Sequence, residues 1–362
     1  MRKSVRMVKG PAKVAVSGKC EVLGCDVSGR IVSVRAGKAL PFEPGPRCRL
    51  RARLGRGARM WKADARSAGI SMWRETSETM LSILHARKSL AALVVGETDT
   101  GKSTLCAYLA NSALAAGIEP CVIDGDIGQG DLAPPSAIGA ALVERQVTDL
   151  RDLSASLFEF IGSITPSGLE NLTSRRLYSL CERSSQLSRL RIVNTDGYVR
   201  NGGTVYKSMV AQSLQPDLII CLGKNPELVD ALASGPWKIL HASSSEEARK
   251  SRLERTYRRH DQFLRFVGGR LVSTGLHGIT FVYMDHTYPA AELSLPPISH
   301  LEPENMRNMF VALGSMDQIA GFGLVADITE ERIQILTDID FFGFVYLSNI
   351  RLVGDNIEQI TF

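Results

Sequence analysis

Residues 89–104 read SLAALVVGETDTGKST. The first half is a short apolar run rich in Leu and Val, the pattern of a fully buried strand. Gly96, Gly101, Lys102 and Ser103 then fill the spacing G-x-x-x-x-G-K-[ST], and the TLCAYLANSALAAG that follows predicts a helix closed by Gly117. A glycine loop set between a buried strand and a helix turns backbone N–H groups, and the positive end of the helix, toward phosphates. In that arrangement Lys102 bridges the outer phosphates and Ser103 offers its hydroxyl to Mg²⁺. Gly96, Glu97, Thr98, Asp99, Thr100, Gly101, Lys102, Ser103 and Thr104 are therefore the expected nucleotide site. No N/T-K-x-D guanine signature occurs and the loop lacks the extra lysine of partition-type ATPases, so ATP is the expected nucleotide.

Outward from this loop, buried strands alternate with helical stretches. CVIDGD, RIVNTDG, DLIICLG and WKILHAS all read as strands, which implies a mainly parallel sheet covered on both faces. The second of the core strands ends in IDGDIGQGD and places Asp124 and Asp126 at i, i+2 near its carboxyl end, where open α/β sheets bind ligands. Two carboxylates there can divide the work, one holding the metal's water shell and the other taking a proton from an incoming nucleophile. At this point a second reading stays open, in which both serve the metal or cap a turn.

The flanks read differently. Up to about residue 70, AVSGKCEVLGCDVSGRIVSV shows short valine-rich strands between glycine turns. Beyond about Gly269 the short-strand pattern returns. The expected fold class is thus α/β, a P-loop NTPase core flanked by small β domains, with boundaries at 1–72, 73–268 and 269–362. Residues 75–88, ETSETMLSILHARK, carry apolar residues at helical spacing and lead into the core.

Charge is uneven along the chain. The net charge is +5, yet residues 1–70 hold 17 Lys and Arg against four Asp and Glu. The stretch from Pro46 to Lys62, PRCRLRARLGRGARMWK, is the densest; it suits a polyanion such as nucleic acid, and equally a solvated face. The seven cysteines form no C-x-x-C pair, which favours reduced packing thiols over a metal site or a redox pair. No apolar run approaches the roughly 20 residues of a membrane span, and the basic start is followed by no apolar signal region. An intracellular, cytoplasmic protein without a membrane anchor is the expectation.

From Arg249 to Arg270, RKSRLERTYRRHDQFLRFVGGR carries eight Lys and Arg and two acidic residues. Arg252, Arg255 and Arg259 fall on one helical face, suited either to closing over a γ-phosphate or to facing solvent. Together with GETDTGKST, the D-x-D-x-G-Q of IDGDIGQ, IGSITPSG at 161–168 and NTDGYVRNGG at 194–203, this segment resembles the RNA and polynucleotide 5′-hydroxyl kinases, relatives of the kinase subunit of the pre-mRNA 3′-end cleavage factor and tRNA splicing complex. The compact length suits an archaeal-type member.

The resemblance implies transfer of the γ-phosphoryl group of ATP, with Mg²⁺, to the 5′-hydroxyl end of an RNA or DNA strand. Asp126 is the implied base, with Lys102, Arg255 and Arg259 as catalytic cations in a lid at about 249–268. Arg252 and Arg258 also align with that lid. Asp124 and Ser103 are implied on the metal. Gln129, Ser163, Thr165 and the clasp residues Thr195, Gly197 and Tyr198 are implied on the substrate, Tyr198 standing where the family has a base-stacking tryptophan. RNA-processing protein partners are implied as well. The alternative is a non-catalytic ATP-binding scaffold of an RNA-processing complex.

Overall fold

The computed structural model describes residues 4–65, 68–243, 251–290, 303–354 and 356–360. Arg249 and Lys250 of the expected lid lie outside the described residues. The chain opens with eight strands: β1 (Ser4–Lys9), β2 (Ala12–Ser17), β3 (Cys20–Val22), β4 (Cys25–Asp26), β5 (Ile31–Val34), β6 (Ala39–Pro44), β7 (Arg49–Leu54) and β8 (Arg59–Asp64). They form a five-stranded sheet in the order β4-β3-β6-β1-β8 and a three-stranded sheet in the order β5-β2-β7. In β2 the alternation of buried valine or alanine with exposed residues turns one face inward.

The middle of the chain runs α1 (Ile70–His85), β9 (Leu90–Gly96), α2 (Lys102–Ala115), β10 (Cys121–Gly125), β11 (Ala137–Leu142), β12 (Leu157–Phe160), α3 (Glu170–Ser184), β13 (Leu190–Thr195), α4 (Gly203–Leu214), β14 (Leu218–Leu222), α5 (Pro226–Leu232) and β15 (Lys238–Ala242). The seven strands lie in the order β12-β11-β10-β13-β9-β14-β15. Five of them are parallel; β11 and β12 extend the edge antiparallel. Every residue of β9 is buried. Its side chains alternate between two cores: Leu90, Ala92 and Val94 pack with Met80 and Leu84 of α1 and Leu105 of α2, whereas Leu93 and Val95 pack with Leu177, Val210 and Leu228 of α3, α4 and α5. That split is what a sheet covered on both faces requires.

The core containing α1 and α2 runs without a break into the N-terminal strands, taking in Val14, Val16, Val34 and Phe42. Buried Asn111 of α2 pins the junction, donating to the Leu23 carbonyl at 2.7 Å and the Val147 carbonyl at 2.8 Å while accepting from Val147 N–H at 2.9 Å.

Next comes α6 (Arg252–Phe266), opened by a capping box in which Ser251 and Glu254 satisfy each other's backbone N–H groups. The last part contains β16 (Arg270–Gly275), β17 (Thr280–Tyr283), β18 (His286–Pro289), α7 (Pro303–Met306), β19 (Met309–Gly314), β20 (Ile319–Ile328), β21 (Arg332–Thr337), β22 (Phe344–Val353) and β23 (Asn356–Gln359), gathered in one sheet. An aromatic cluster fastens this sheet to the core. Phe263 of α6 meets Phe310 with centroids 4.7 Å apart, and Phe158 beside β12's Phe160 meets Phe322 at 5.2 Å. Helix α6 is thereby seated between the nucleotide-binding core and the C-terminal sheet. Among the described residues no helix is long and apolar enough to cross a membrane.

Candidate active site

The loop after β9 takes the shape its glycines permit. Gly96 and Gly101 adopt φ of 154° and 94°, and a Cβ on Gly96 would lie 2.6 Å from the Leu222 carbonyl oxygen, so only glycine lets β14 pass this close. Lys102 opens α2, is 6% exposed, and donates to the carbonyls of Gly96 at 2.9 Å and Glu97 at 2.7 Å. Thr100 braces the same loop through the Glu97 carbonyl, and the Glu97 carboxylate takes a hydrogen bond from Asn225 at the start of α5.

A cavity of about 130 Å³ lies against this loop, lined by Thr98, Asp99, Gly101, Lys102, Ser103, Thr104, Asp126, Gln129, Gly197 and Arg258, and by Gly37, Lys38 and Ala39 from the N-terminal sheets. The nucleotide loop, the end of β10, the clasp after β13 and α6 thus meet at one place.

Asp126 sits on the cavity wall, half-buried, with its Oδ1 accepting from Gly128 N–H at 3.0 Å and Gln129 N–H at 2.9 Å. Burial and the nearby Asp196 push its carboxyl up from the usual range, while the Lys102 ammonium and the two N–H donors pull the other way. Asp124 stands behind it. Only 1% exposed, it accepts from the backbone N–H groups of Asp126, Asp131 and Leu132 and from the Asn194 side chain at 2.8 Å. Burial, with Asp131 and Asp126 adding, raises it to about 6. Asp124, expected on the metal, accepts from four donors and lies behind the cavity wall.

The clasp is drawn hard against the phosphate loop. A Cβ on Gly197 would lie 2.5 Å from the Thr98 nitrogen. Thr195, expected on the substrate, is 1% exposed and donates to the Val94 carbonyl at 2.9 Å, tying β13 to β9. Tyr198 is half-buried; its hydroxyl donates to the Asn201 carbonyl at 2.6 Å and its ring packs beside Tyr206, with centroids 6.1 Å apart. Beneath the clasp Asp196 accepts from Lys207, which has no exposed surface, at 2.8 Å. In the 161–168 loop Ser163 is buried and bonds only within its own turn to Thr165, whereas Thr165 is exposed. Neither Ser163 nor Thr195 lines the cavity; their hydroxyls bond to backbone of Thr165 and Val94.

Helix α6 lies across the loop. Arg255 pairs with Asp99 at 2.8 Å, Arg259 donates to the Gly128 carbonyl at 3.1 Å, and Gln129 donates to the Arg255 carbonyl at 3.2 Å. Arg258 reaches the cavity while donating to the Gln129 carbonyl at 2.9 Å and to Asp131 at 2.6 Å. Arg252, at the first turn, is exposed. Of the aligned arginines, Arg258 is the one on the cavity wall.

The mRNA cleavage and polyadenylation factor CLP1 P-loop family model matches residues 96–269. A polyribonucleotide 5′-hydroxyl-kinase of Pyrococcus abyssi is 33% identical over 269 residues, covering 74% of this chain and 75% of that protein. This chain belongs to the polyribonucleotide 5′-hydroxyl kinase and CLP1 family. A kinase of the same name from Methanocaldococcus jannaschii is 26% identical over 335 residues, covering 78% of this chain and 92% of that protein. The fold is that of Clp1p in its wild-type complex with Pcf11p, with a TM-score of 0.73 over 97% of this chain and 96% of the other, at 13% identity.

The chain also carries groups that its motifs do not announce. Asp131 has no exposed surface and gathers three cations: Lys38 at 2.9 Å, Arg258 at 2.6 Å and Arg151 at 3.5 Å. Asp149 extends the cluster to Arg35 at 3.0 Å and shares Lys38 and Arg151. Held by these cations, the carboxyl of Asp131 is depressed far below the usual range, and Lys38 first among them lowers Asp149 to about 2. Asp131 could have been noticed as the third acid of IDGDIGQGD. Lys38, 93 residues away, has no such local signal.

Proposed function

We infer that this chain transfers the γ-phosphoryl group of ATP to the 5′-hydroxyl end of RNA. One observation carries the reading: Lys102, Ser103 and Asp126 line the same small cavity, so a triphosphate on the loop and a carboxylate able to take a proton share one space. The 5′-oxygen forms a bond to the γ-phosphorus as the bond to the leaving ADP oxygen breaks, and the hydroxyl proton passes to Asp126. Little covalent work falls to the protein; alignment and stabilisation of spread negative charge do most of it.

Lys102 and Arg258 supply positive charge on the cavity wall, and Arg255 and Arg259 hold α6 over the loop. A carboxylate lifted from its ordinary range is a stronger base, which suits Asp126 to its task. Ser103 and Asp126 present oxygens on one wall, the donor type that a hard divalent cation takes. These residues would hold Mg²⁺ there, and the ion would supply positive charge against the phosphates. In this reading Tyr198, half-exposed beside the cavity's Gly197, stacks on the terminal base, with Gln129 and Thr165 on the acceptor side. DNA ends are a second acceptor class. The cell interior is the setting, with RNA-processing proteins as partners.

The test is incubation with γ-labelled ATP and a 5′-hydroxyl oligoribonucleotide. Label on the strand is expected, and Asp126→Asn should lower kcat by about 10²–10⁴ while ATP still binds. A scaffold without catalysis would bind ATP and leave the strand unlabelled.

A further inference from the structure

The basic stretch around residue 50 becomes a defined face in the folded chain. In the three-stranded sheet β5-β2-β7, the inward side chains Val14, Val16, Val32 and Val34 are buried, with Leu50 and Ala52 packed against them. The outward face carries Arg49, Arg51 and Arg53 from β7, Lys13, Ala15 and Ser17 from β2, and Ile31 and Ser33 from β5, all exposed. Every charge on this face is positive. Successive arginines on one side of a strand stand about 6.8 Å apart, a step of the same order as that between phosphates of an extended single strand.

The register adds a second observation. Lys13 lies directly opposite Arg53, Arg51 opposite Ala15, and Arg49 opposite Ser17. Like charges placed opposite one another destabilise a sheet, and among the described residues none of Lys13, Arg49, Arg51 or Arg53 has an ion pair. Small neighbours leave the ladder uncovered. Four cations thus stand together with no carboxylate among the described residues in ion-pair reach, which a bound polyanion would relieve.

The face also has a direction. Arg53 sits beside Leu54, which pairs with Ala12, which in turn pairs with Val34 of β5; three residues beyond Val34, Gly37 begins the N-terminal part of the cavity wall. The ladder therefore starts at the end of the sheet nearer the cavity and runs away from it.

We propose that the Lys13–Arg49–Arg51–Arg53 face is a second nucleic-acid site that grips the phosphate backbone of the RNA strand several nucleotides from the end being phosphorylated. It rests on the kinase reading for the identity of its ligand. The competing explanation is edge protection, since β7 ends its sheet and charge on an edge strand blocks pairing with other copies. That role is met by charge of either sign, whereas a phosphate ladder is met by positive charge alone.

Charge reversal separates the two. Binding of a 5′-phosphorylated single-stranded RNA of roughly 15 nucleotides, which reports on the ladder whether or not transfer occurs, is measured against salt for the wild type, for R49E/R51E/R53E and for R49Q/R51Q/R53Q. Both variants should bind the long RNA at least tenfold more weakly, and the glutamine variant's salt slope should fall by about 2, as expected for three lost single-strand contacts. KM for a two-nucleotide 5′-hydroxyl acceptor should not change. Thermal melts and gel filtration establish that each variant is folded and unassociated, the glutamine variant serving if the reversal fails to fold. Wild-type affinity and slope in a folded variant would overturn the proposal. Loss of labelling on the wild-type protein with the ladder effect intact would instead remove the kinase reading and leave the ladder.

Discussion

Gly197 decides how near the clasp can come to the phosphate loop. Its missing side chain is what lets Thr98 lie against it, with the Thr98 hydroxyl donating to the Gly197 carbonyl at 3.4 Å. Gly197→Ala should force the clasp and the loop apart, since a methyl group cannot sit 2.5 Å from a backbone nitrogen. A displacement of the order of 1 Å at reacting groups costs about 10² in rate. Loss of that size in kcat/KM, with the melting midpoint little changed, is expected from steady-state kinetics and a thermal melt. At this scale the sequence conveys residue type well and direction poorly. Motif spacing identifies the stretches holding Ser163 and Thr195, but whether a hydroxyl faces the cavity or its own turn depends on backbone torsions that spacing does not encode. The same limit explains Asp124 and Asp126, two like carboxylates one residue apart, of which only the second reaches the wall.

Helix α6 shows what is legible in an element and what is not. Its arginines at helical spacing and its capping box are local, and local patterns can be read from the chain. Its anchorage is long-range: Phe263 enters an aromatic cluster with Phe310 and Phe322, and Arg258 enters the charge cluster around Asp131. Removing the shared acid leaves Arg258 without its carboxylate and Lys38 and Arg151 with Asp149 alone. Breaking a buried ion pair by deleting one partner costs about 3–5 kcal/mol. Asp131→Asn should lose stability of that order in a denaturant titration, and amide exchange in α6 should accelerate along with it. Strands β11 and β12 illustrate the opposite difficulty. AIGAAL has no period and a single β-branched residue, Ile138, to mark it apart from a loop, and its pairing with β10 and β12 makes it a strand.

Across the whole molecule, the N-terminal sheets and the nucleotide-binding core share both an apolar core and a set of buried charges. A fold built from two β parts around an α/β centre is visible in the valine and glycine spacing. Their mutual dependence is not, because it arises from side chains that meet only after folding. Arg35 and Lys38 reach Asp149 from the N-terminal side. The Asp149 carboxyl titrates at about 2, below its ordinary value of 3.8, so the stabilisation it provides is complete above about pH 4 and is lost as pH falls toward 2. Asp131 acts in the same sense and further into acid. Melting midpoints should fall as pH drops below about 4, and Asp149→Asn should flatten that fall while lowering the midpoint at neutral pH. An unchanged acid limb in the variant would deny Asp149 this part.

Gly162, in the loop that carries Thr165, accepts a hydrogen bond from Asn349 N–H at 2.9 Å, and a side chain on it would collide with the Leu347 carbonyl oxygen. The loop thus hangs from β22, far along the chain. Residues 96–269, taken alone, are consequently not a portable cassette: excised, they forfeit the support under that loop, the seat of Phe263 and the lysine at position 38. An engineer wishing to transplant this chemistry must carry both flanking sheets along.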